Sequence, residues 1–110
     1  MTARLNREKW AAMPLFEQMA NIGSEVGRTA NNLANNNLAR AESSFERALE
    51  LFDLTIATGR KGSAGRPALL KEVCRAREVF CGAYLEKDKK TLDFLDKYFS
   101  QFALAFRSGK

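Results

Sequence analysis

Histidine, the side chain that enzymes use most often for proton transfer, is missing from this chain. None of its 110 residues is a histidine, which excludes Ser-His-Asp catalysis, Cys-His catalysis and histidine-ligated metals. The two cysteines, Cys74 and Cys81, are seven residues apart. On one helix that spacing is about 10 Å, which is too wide for a disulfide between them. We interpret both as buried structural thiols.

A row of acidic side chains along the second long helix could suggest carboxylate ligands for a metal. Helical bundles that hold two irons combine such glutamates with Glu-x-x-His pairs, and this chain has no histidine. We therefore predict no metal site, no cofactor and no catalytic residue, and we interpret the row as a solvated helix face. Its members are Glu42, Glu46, Glu50 and Asp53.

A third pattern is the segment 59–67, in which three glycines and a proline stand among cations. A Walker A loop would need Gly-Lys-Ser/Thr at the opening of a helix. Here Gly65 is followed by Arg66 and Pro67, and the proline lacks a backbone donor. The pattern does not indicate a nucleotide-binding loop. We predict a Gly-rich basic loop, which is either a flexible linker or a segment whose cations contact phosphates.

Positive charge is concentrated in the second half of the chain. The formal net charge is +5; residues 11–59 carry three positive and six negative side chains, whereas residues 60–79 carry six positive and two negative. A continuous basic strip is typical of sequence-independent contact with nucleic acid, and no base-reading motif accompanies it. The candidate phosphate-binding side chains are Arg60, Lys61, Arg66, Lys71, Arg75 and Arg77.

The elements that must position these side chains are helices, because apolar residues recur at steps of three and four. The first long helix is predicted to begin near Pro14, since proline suits the first helical position. Its apolar stripe runs beside small residues that include Gly23 and Gly27, which predict a neighbouring helix at close approach. The asparagine-rich segment 31–37 predicts the end of this helix or a short turn.

Three more helices follow along the chain. The second runs from Leu38 to the loop at 59–67, the third follows that loop, and the fourth follows a turn at residues 86–90 with Thr91 as its N-cap. Four helices of about 18 to 22 residues with short connections predict an all-α, antiparallel four-helix bundle. We expect one domain over residues 1–110, whose residues 1–12 form a basic N-terminal tail.

The last helix carries more apolar surface than one core needs. Beside its core stripe runs a second apolar stripe, and no helix of a small bundle is surrounded by others on all sides. We therefore predict self-association as a homo-oligomer through this surface. The residues of the predicted interface are Phe94, Tyr98, Leu104 and Ala105.

Some local strings resemble a family of short bacterial proteins without assigned activity. They are residues 9–10 with 13–28, which include MPLFEQMANIGSEVGR; residues 45–56, FERALELFDLTI; and residues 97–99 with 102–103. These strings cover about a third of the chain. In plan alone, meaning length, charge, bundle and expected oligomer, the chain is also similar to the accessory variability proteins of diversity-generating retroelements. A small helical subunit of a CRISPR-type ribonucleoprotein shares that plan.

Together these features predict a non-catalytic, self-associating accessory subunit of a nucleoprotein machine, which binds RNA or DNA through phosphates. The resemblance in plan implies a reverse transcriptase as a larger protein partner. The alternative is a protein–protein adaptor or homo-oligomeric scaffold with no nucleic-acid role. The charged N-terminus lacks the apolar core of a signal peptide, and the longest apolar run, residues 102–106, is too short to span a bilayer. We expect a cytoplasmic protein without membrane contact.

Overall fold

The described residues of the chain are almost entirely helical. The computed structural model describes residues 7–62 and 67–108, with side chains except at 60–62, 67, 68, 103 and 105–108. In this described part the structure is all-α, as predicted, but it has five helices rather than four. They are α1 (Arg7–Ala12), α2 (Leu15–Ala34), α3 (Leu38–Gly62), α4 (Pro67–Glu86) and α5 (Lys89–Ser108).

The additional helix, α1, is fixed to the rest of the fold by one aromatic side chain. Trp10 is buried, and its indole Nε1 donates a hydrogen bond to Thr55 Oγ1 on α3 at 3.0 Å. The buried Gln18 of α2 donates from Nε2 to the Trp10 carbonyl oxygen at 2.9 Å. Residues 7–12 are therefore a docked helix, which corrects the prediction of a basic tail over residues 1–12; residues 1–6 lie outside the described part.

The close approach predicted at the α2 glycines is confirmed. A Cβ placed on Gly23 would stand 2.6 Å from the Cβ of Phe99, and one on Gly27 would stand 2.8 Å from Asp96 Oδ1. Both neighbours lie on α5, so the small residues let the two helix backbones come together. Gly23 meets Phe99, whereas Gly27, later on α2, meets Asp96, which is earlier on α5. At this contact the two helices therefore run in opposite directions.

The turn between α2 and α3 explains the asparagine tract. Asn36 has a φ of 59°, a left-handed conformation that asparagine tolerates better than most residues. The backbone N–H of Asn37 donates to the carbonyl of Asn32, and that of Asn36 donates to Leu33, which is the Schellman pattern. Asn37 then caps α3, since its side-chain Oδ1 accepts from the Arg40 N–H. The predicted helix end within 31–37 is confirmed.

The same arrangement joins α4 to α5. Lys87 has a φ of 54°, and the N–H of Asp88 donates to the Ala83 carbonyl at 2.8 Å. Asp88 is also the cap of α5, because its carboxylate accepts from both the backbone N–H and the hydroxyl of Thr91. The prediction of Thr91 as N-cap is therefore wrong. Thr91 lies three residues into the helix and donates to the cap.

The boundary between α3 and α4 also differs from the prediction. Helix α3 continues to Gly62, so residues 59–62 are helical, and α4 begins at Pro67. The prediction of a loop beginning at residue 59 is corrected, and residues 63–66 lie outside the described part. Glycine disfavours a helix interior by only about 1 kcal/mol relative to alanine, so Gly59 does not by itself end α3.

Aromatic side chains form the centre of the core. Phe52 of α3 is fully buried, and its ring centroid lies 5.8 Å from that of Phe80 on α4 and 5.8 Å from that of Phe99 on α5. Nearer the α2–α3 turn, Phe45 stacks on Tyr84 with centroids 3.9 Å apart. Helix α2 packs against α3 and α5, and α4 likewise packs against both.

The inner face of α4 is narrower than its apolar residues suggest. The buried positions are Val73, Ala76, Phe80 and Ala83, which follow one another at helical steps. Cys74 lies beside this stripe and is exposed, whereas Cys81 is half-buried. The prediction that both cysteines are buried is therefore wrong for Cys74, and Cys81 is only partly buried.

Candidate nucleic-acid interface

Helix α4 presents the best-defined part of the predicted basic strip. Lys71 and Arg75 are one helical turn apart, and both are exposed. Neither takes part in an ion pair within the described part of the chain. Their charges therefore remain available to an external anion. The strip ends at Glu78, which is exposed three residues beyond Arg75.

The neighbouring carboxylate of Glu72 is engaged elsewhere. Its Oε1 accepts a hydrogen bond from the hydroxyl of Tyr98 on α5 at 2.8 Å. Burial of the tyrosine, and next this hydrogen bond and the charge of Glu72, raise the pKa of Tyr98 to about 12. Glu72 thus joins α4 to α5 and forms no ion pair with the cations beside it.

The other predicted strip residues are not equivalent to these two. Arg77 donates from Nε to Asp53 Oδ1 of α3 at 2.9 Å, so it forms a surface ion pair that joins α4 to α3. Arg60 and Lys61 lie in the last turn of α3, where only their backbone is described, and Arg66 lies outside the described residues. Of the six predicted strip residues, Lys71 and Arg75 are the two whose side chains are described as exposed and close together.

A second basic surface, which the sequence interpretation missed, lies between α2 and α3 near their connecting turn. It is a cleft of about 410 Å³, and no carboxylate is among the described residues that line it. Its polar lining combines three arginines, two asparagine amides and two serine hydroxyls. The residues are Arg28, Asn31, Asn32, Arg40, Ser43, Ser44 and Arg47.

The reason for missing this cleft is that the charge count averaged over whole segments. Residues 11–59 carry a net negative charge, yet their only three cations, all arginines, line this cleft. A usable signal was present in the turn at 31–37, because an antiparallel helix pair places residues at similar distances from the turn side by side. Folding the chain at that turn brings Arg28 toward the segment from Arg40 to Arg47.

One carboxylate at the edge of the cleft orients two of the arginines. Glu25 is only 12 % exposed, and its Oε2 accepts from Arg28 at 2.8 Å while its Oε1 accepts from Arg47 at 3.3 Å. The guanidinium of Arg40 forms no ion pair among the described residues. The floor is polar and fixed, since Asn32 donates to the Ser44 hydroxyl, which itself donates to the Arg40 carbonyl.

The predicted oligomer surface is split by the fold. Phe94 is 66 % exposed and Leu104 is 63 % exposed. Tyr98, by contrast, packs edge-on against Phe99 and Phe102 of its own helix, besides bonding to α4. The side chain of Ala105 lies outside the described part. Phe94 and Leu104 thus remain as candidates for contact with another molecule, whereas Tyr98 is largely used within the chain.

The described residues present neither a metal-binding group nor a membrane-spanning helix. No group of three or more cysteine, aspartate or glutamate side chains in the two described ranges is arranged to hold a metal ion. Over the same ranges, no helix is both long enough and apolar enough to cross a membrane.

Comparisons of the chain with protein-family models, with curated proteins and with solved structures gave no match.

Proposed function

We propose that this protein is a non-catalytic helical subunit that binds RNA or DNA through the phosphate backbone. The observation that carries the proposal is the pair Lys71 and Arg75, two exposed cations one turn apart with no ion pair in the described part of the chain. Cations that an intramolecular carboxylate has not neutralised can replace the counterions condensed on a phosphate backbone. Binding of this kind reads charge rather than base sequence.

The architecture that we propose for this role is an antiparallel four-helix bundle of α2–α5, with α1 docked against α3. Short Schellman turns at residues 35–37 and 87–88 support it, because such turns reverse the chain within a few residues. The Asp53–Arg77 ion pair and the Tyr98–Glu72 hydrogen bond hold α4 against its two neighbours. The buried Val73, Ala76 and Phe80 set the orientation of α4, so Lys71 and Arg75 lie on its exposed side.

We further propose that the chain works as an oligomer within a larger nucleoprotein assembly. Phe94 and Leu104 are exposed aromatic and aliphatic side chains on α5, of a kind that protein interfaces cover. An assembly of the kind expected from the plan of the chain contains a reverse transcriptase with its template RNA. Several copies would multiply the number of phosphate contacts and so the avidity for a strand.

The test of phosphate contact compares two doubly substituted proteins of equal net charge. We expect K71Q/R75Q to bind a labelled single-stranded RNA more weakly, and to lower the slope of log K against log salt by about 1.4, the value for two single-strand phosphate contacts. The control K89Q/K97Q removes two exposed cations from α5 instead and should bind nearly as the native chain does. Equal effects of the two pairs would refute α4 as the binding surface.

The alternative function, a protein–protein adaptor, is favoured by a further exposed apolar side chain near Phe94. Leu85 is 74 % exposed and Phe94 is 66 % exposed, and they lie on either side of the short α4–α5 turn. Sedimentation equilibrium separates self-association from this alternative. We expect the native chain to be an oligomer and F94S/L104S to be a monomer with an unchanged helical circular dichroism spectrum. A monomeric native chain would contradict the proposed oligomer and favour contact of Leu85, Phe94 and Leu104 with a different protein.

A further inference from the structure

The cleft between α2 and α3 has a composition that suits one particular ligand charge. Its three arginines and the edge carboxylate of Glu25 sum to a formal charge of +2. A phosphomonoester or free phosphate carries about −1.5 to −2 at neutral pH, whereas each phosphodiester of a nucleic-acid backbone carries −1. The concave shape also differs from the open helix face that holds Lys71 and Arg75.

Two of the three cleft arginines are held by one carboxylate. Glu25 fixes Arg28 and Arg47 from one side, and guanidinium forks match phosphate oxygens as bidentate donors. Arg40 is not held by any carboxylate in the described part and is available to close on the anion. Neutral donors from the two asparagines and two serines of the lining can satisfy the remaining phosphate oxygens.

We propose that this cleft binds a single phosphate dianion, separately from the backbone contacts on α4. The dianion is either the terminal phosphate of a nucleic-acid strand or a free phosphate. The strand-borne case rests on the proposed nucleic-acid function, whereas the free case does not. Three arginines on one small surface repel one another, and an anion between them relieves that repulsion.

The first arm of the test uses inorganic phosphate alone. In ¹⁵N-labelled native protein at pH 7.5 and ~10 mM phosphate, where a site with a dissociation constant near ~1 mM is nearly saturated, we expect shifts confined to the amide signals of Asn31, Asn32, Ser43 and Ser44. R40Q should lose these shifts while its spectrum remains otherwise native, because the Arg40 side chain has no ion pair to lose. The same salt concentration of chloride is the control.

The second arm compares one RNA with a 5′-phosphate and the same RNA with a 5′-hydroxyl. We expect the native chain to favour the 5′-phosphate by about tenfold, the scale of one charge-assisted hydrogen bond. R40Q should lose this preference. R75Q, which belongs to the α4 surface, should bind both RNAs more weakly and keep their ratio.

A pH series adds a signature that backbone contacts do not produce. The second pKa of a phosphomonoester is about 6, so the 5′-phosphate preference should shrink between pH 7.5 and 5.5. The chain has no histidine, the side chain whose ordinary pKa falls in this range. A diester backbone keeps its charge over this range.

The outcomes separate the site from the proposed function. Phosphate-induced shifts with a tenfold 5′-phosphate preference support the site with a strand terminus as its ligand. Shifts without that preference support the site with free phosphate as its ligand. If no RNA binds at all, the proposed function fails, and the phosphate arm still decides the site. Absence of both the shifts and the preference overturns the proposal.

Discussion

Three glycines inside helices provide a direct test of how α2 and α5 pack. Gly23 faces the Cβ of Phe99, Gly27 faces the carboxylate of Asp96, and Gly82 on α4 has no atom within 4 Å of the place a Cβ would take. Each is replaced by alanine in turn. The gain in helix propensity, up to about 1 kcal/mol, is common to all three variants. Differences among them therefore report what the new methyl group meets.

The magnitude follows from the distances. Carbon atoms in contact lie about 3.5–4.0 Å apart, and the new Cβ in G23A would lie 2.6 Å from a Cβ that no rotamer change can move. The two helices must separate, and overpacking of this kind costs about 1–3 kcal/mol. In G27A the neighbour is the end of a side chain, which can rotate away. We therefore expect G82A to be the most stable of the three variants, G27A to be intermediate and G23A to be the least stable.

Urea denaturation followed by circular dichroism measures this order. For a slope of about 1–3 kcal/mol per M, G82A and G23A should differ in midpoint by on the order of 1 M. G82A should be more stable than the native chain, which also shows that alanine itself is not harmful. If G23A is stabilised as much as G82A, then α2 and α5 do not approach at Gly23, and the packing described above is refuted.

Three further predictions concern individual contacts. In T55V the indole N–H of Trp10, the only tryptophan, loses its hydrogen-bond acceptor. We expect the free energy of unfolding to fall by about 1–3 kcal/mol and the tryptophan fluorescence to shift to the red. Unchanged fluorescence would mean that α1 does not dock at Thr55. Since the pKa of Tyr98 is raised to about 12, the native state holds its proton more tightly, so stability present below pH 10 should be lost between pH 10 and 12. Burial also raises the pKa of Tyr84, the second tyrosine. In Y98F the absorbance at 295 nm should therefore lose the later of the two tyrosine titrations, and loss of the earlier one would contradict the assignment. The hydrogen bonds that Asp88 accepts at the start of α5 lower its pKa. The stability that its carboxylate contributes is therefore present above the ordinary carboxyl pKa and should be lost as the pH falls through the lowered value. In thermal melts at acidic pH, D88A should lose less stability than the native chain as the pH falls, and an equal loss would refute the cap.

The helical class and the core could be predicted because both depend on periodicity. Apolar residues at steps of three and four produced the stripe that contains Met19, Ile22 and Val26, all of which are buried. Boundaries were less accessible, since a residue such as Thr91 can cap a helix or donate to a cap one turn earlier. That choice depends on Asp88, whose carboxylate accepts two hydrogen bonds.

The functional surfaces were harder to predict, because charge acts through space rather than along the chain. Arg77 counted as a free cation in the sequence, yet it is paired with Asp53, which lies 24 residues earlier. Conversely, Arg28, Arg40 and Arg47 lie in an acidic segment and converge only once the α2–α3 turn has formed. Ion pairs between helices decide which charges remain available to a ligand. A count of charges along the sequence carries no information about these pairs.

The central claim, phosphate binding by a helical subunit, is tested most directly by fluorescence anisotropy. Labelled single-stranded RNA and duplex DNA are titrated with the native chain at ~50 and ~200 mM salt. We predict binding at the lower salt that weakens steeply at the higher, as several phosphate contacts require. Absence of binding to either nucleic acid at the lower salt would contradict the claim and leave the adaptor as the function to pursue.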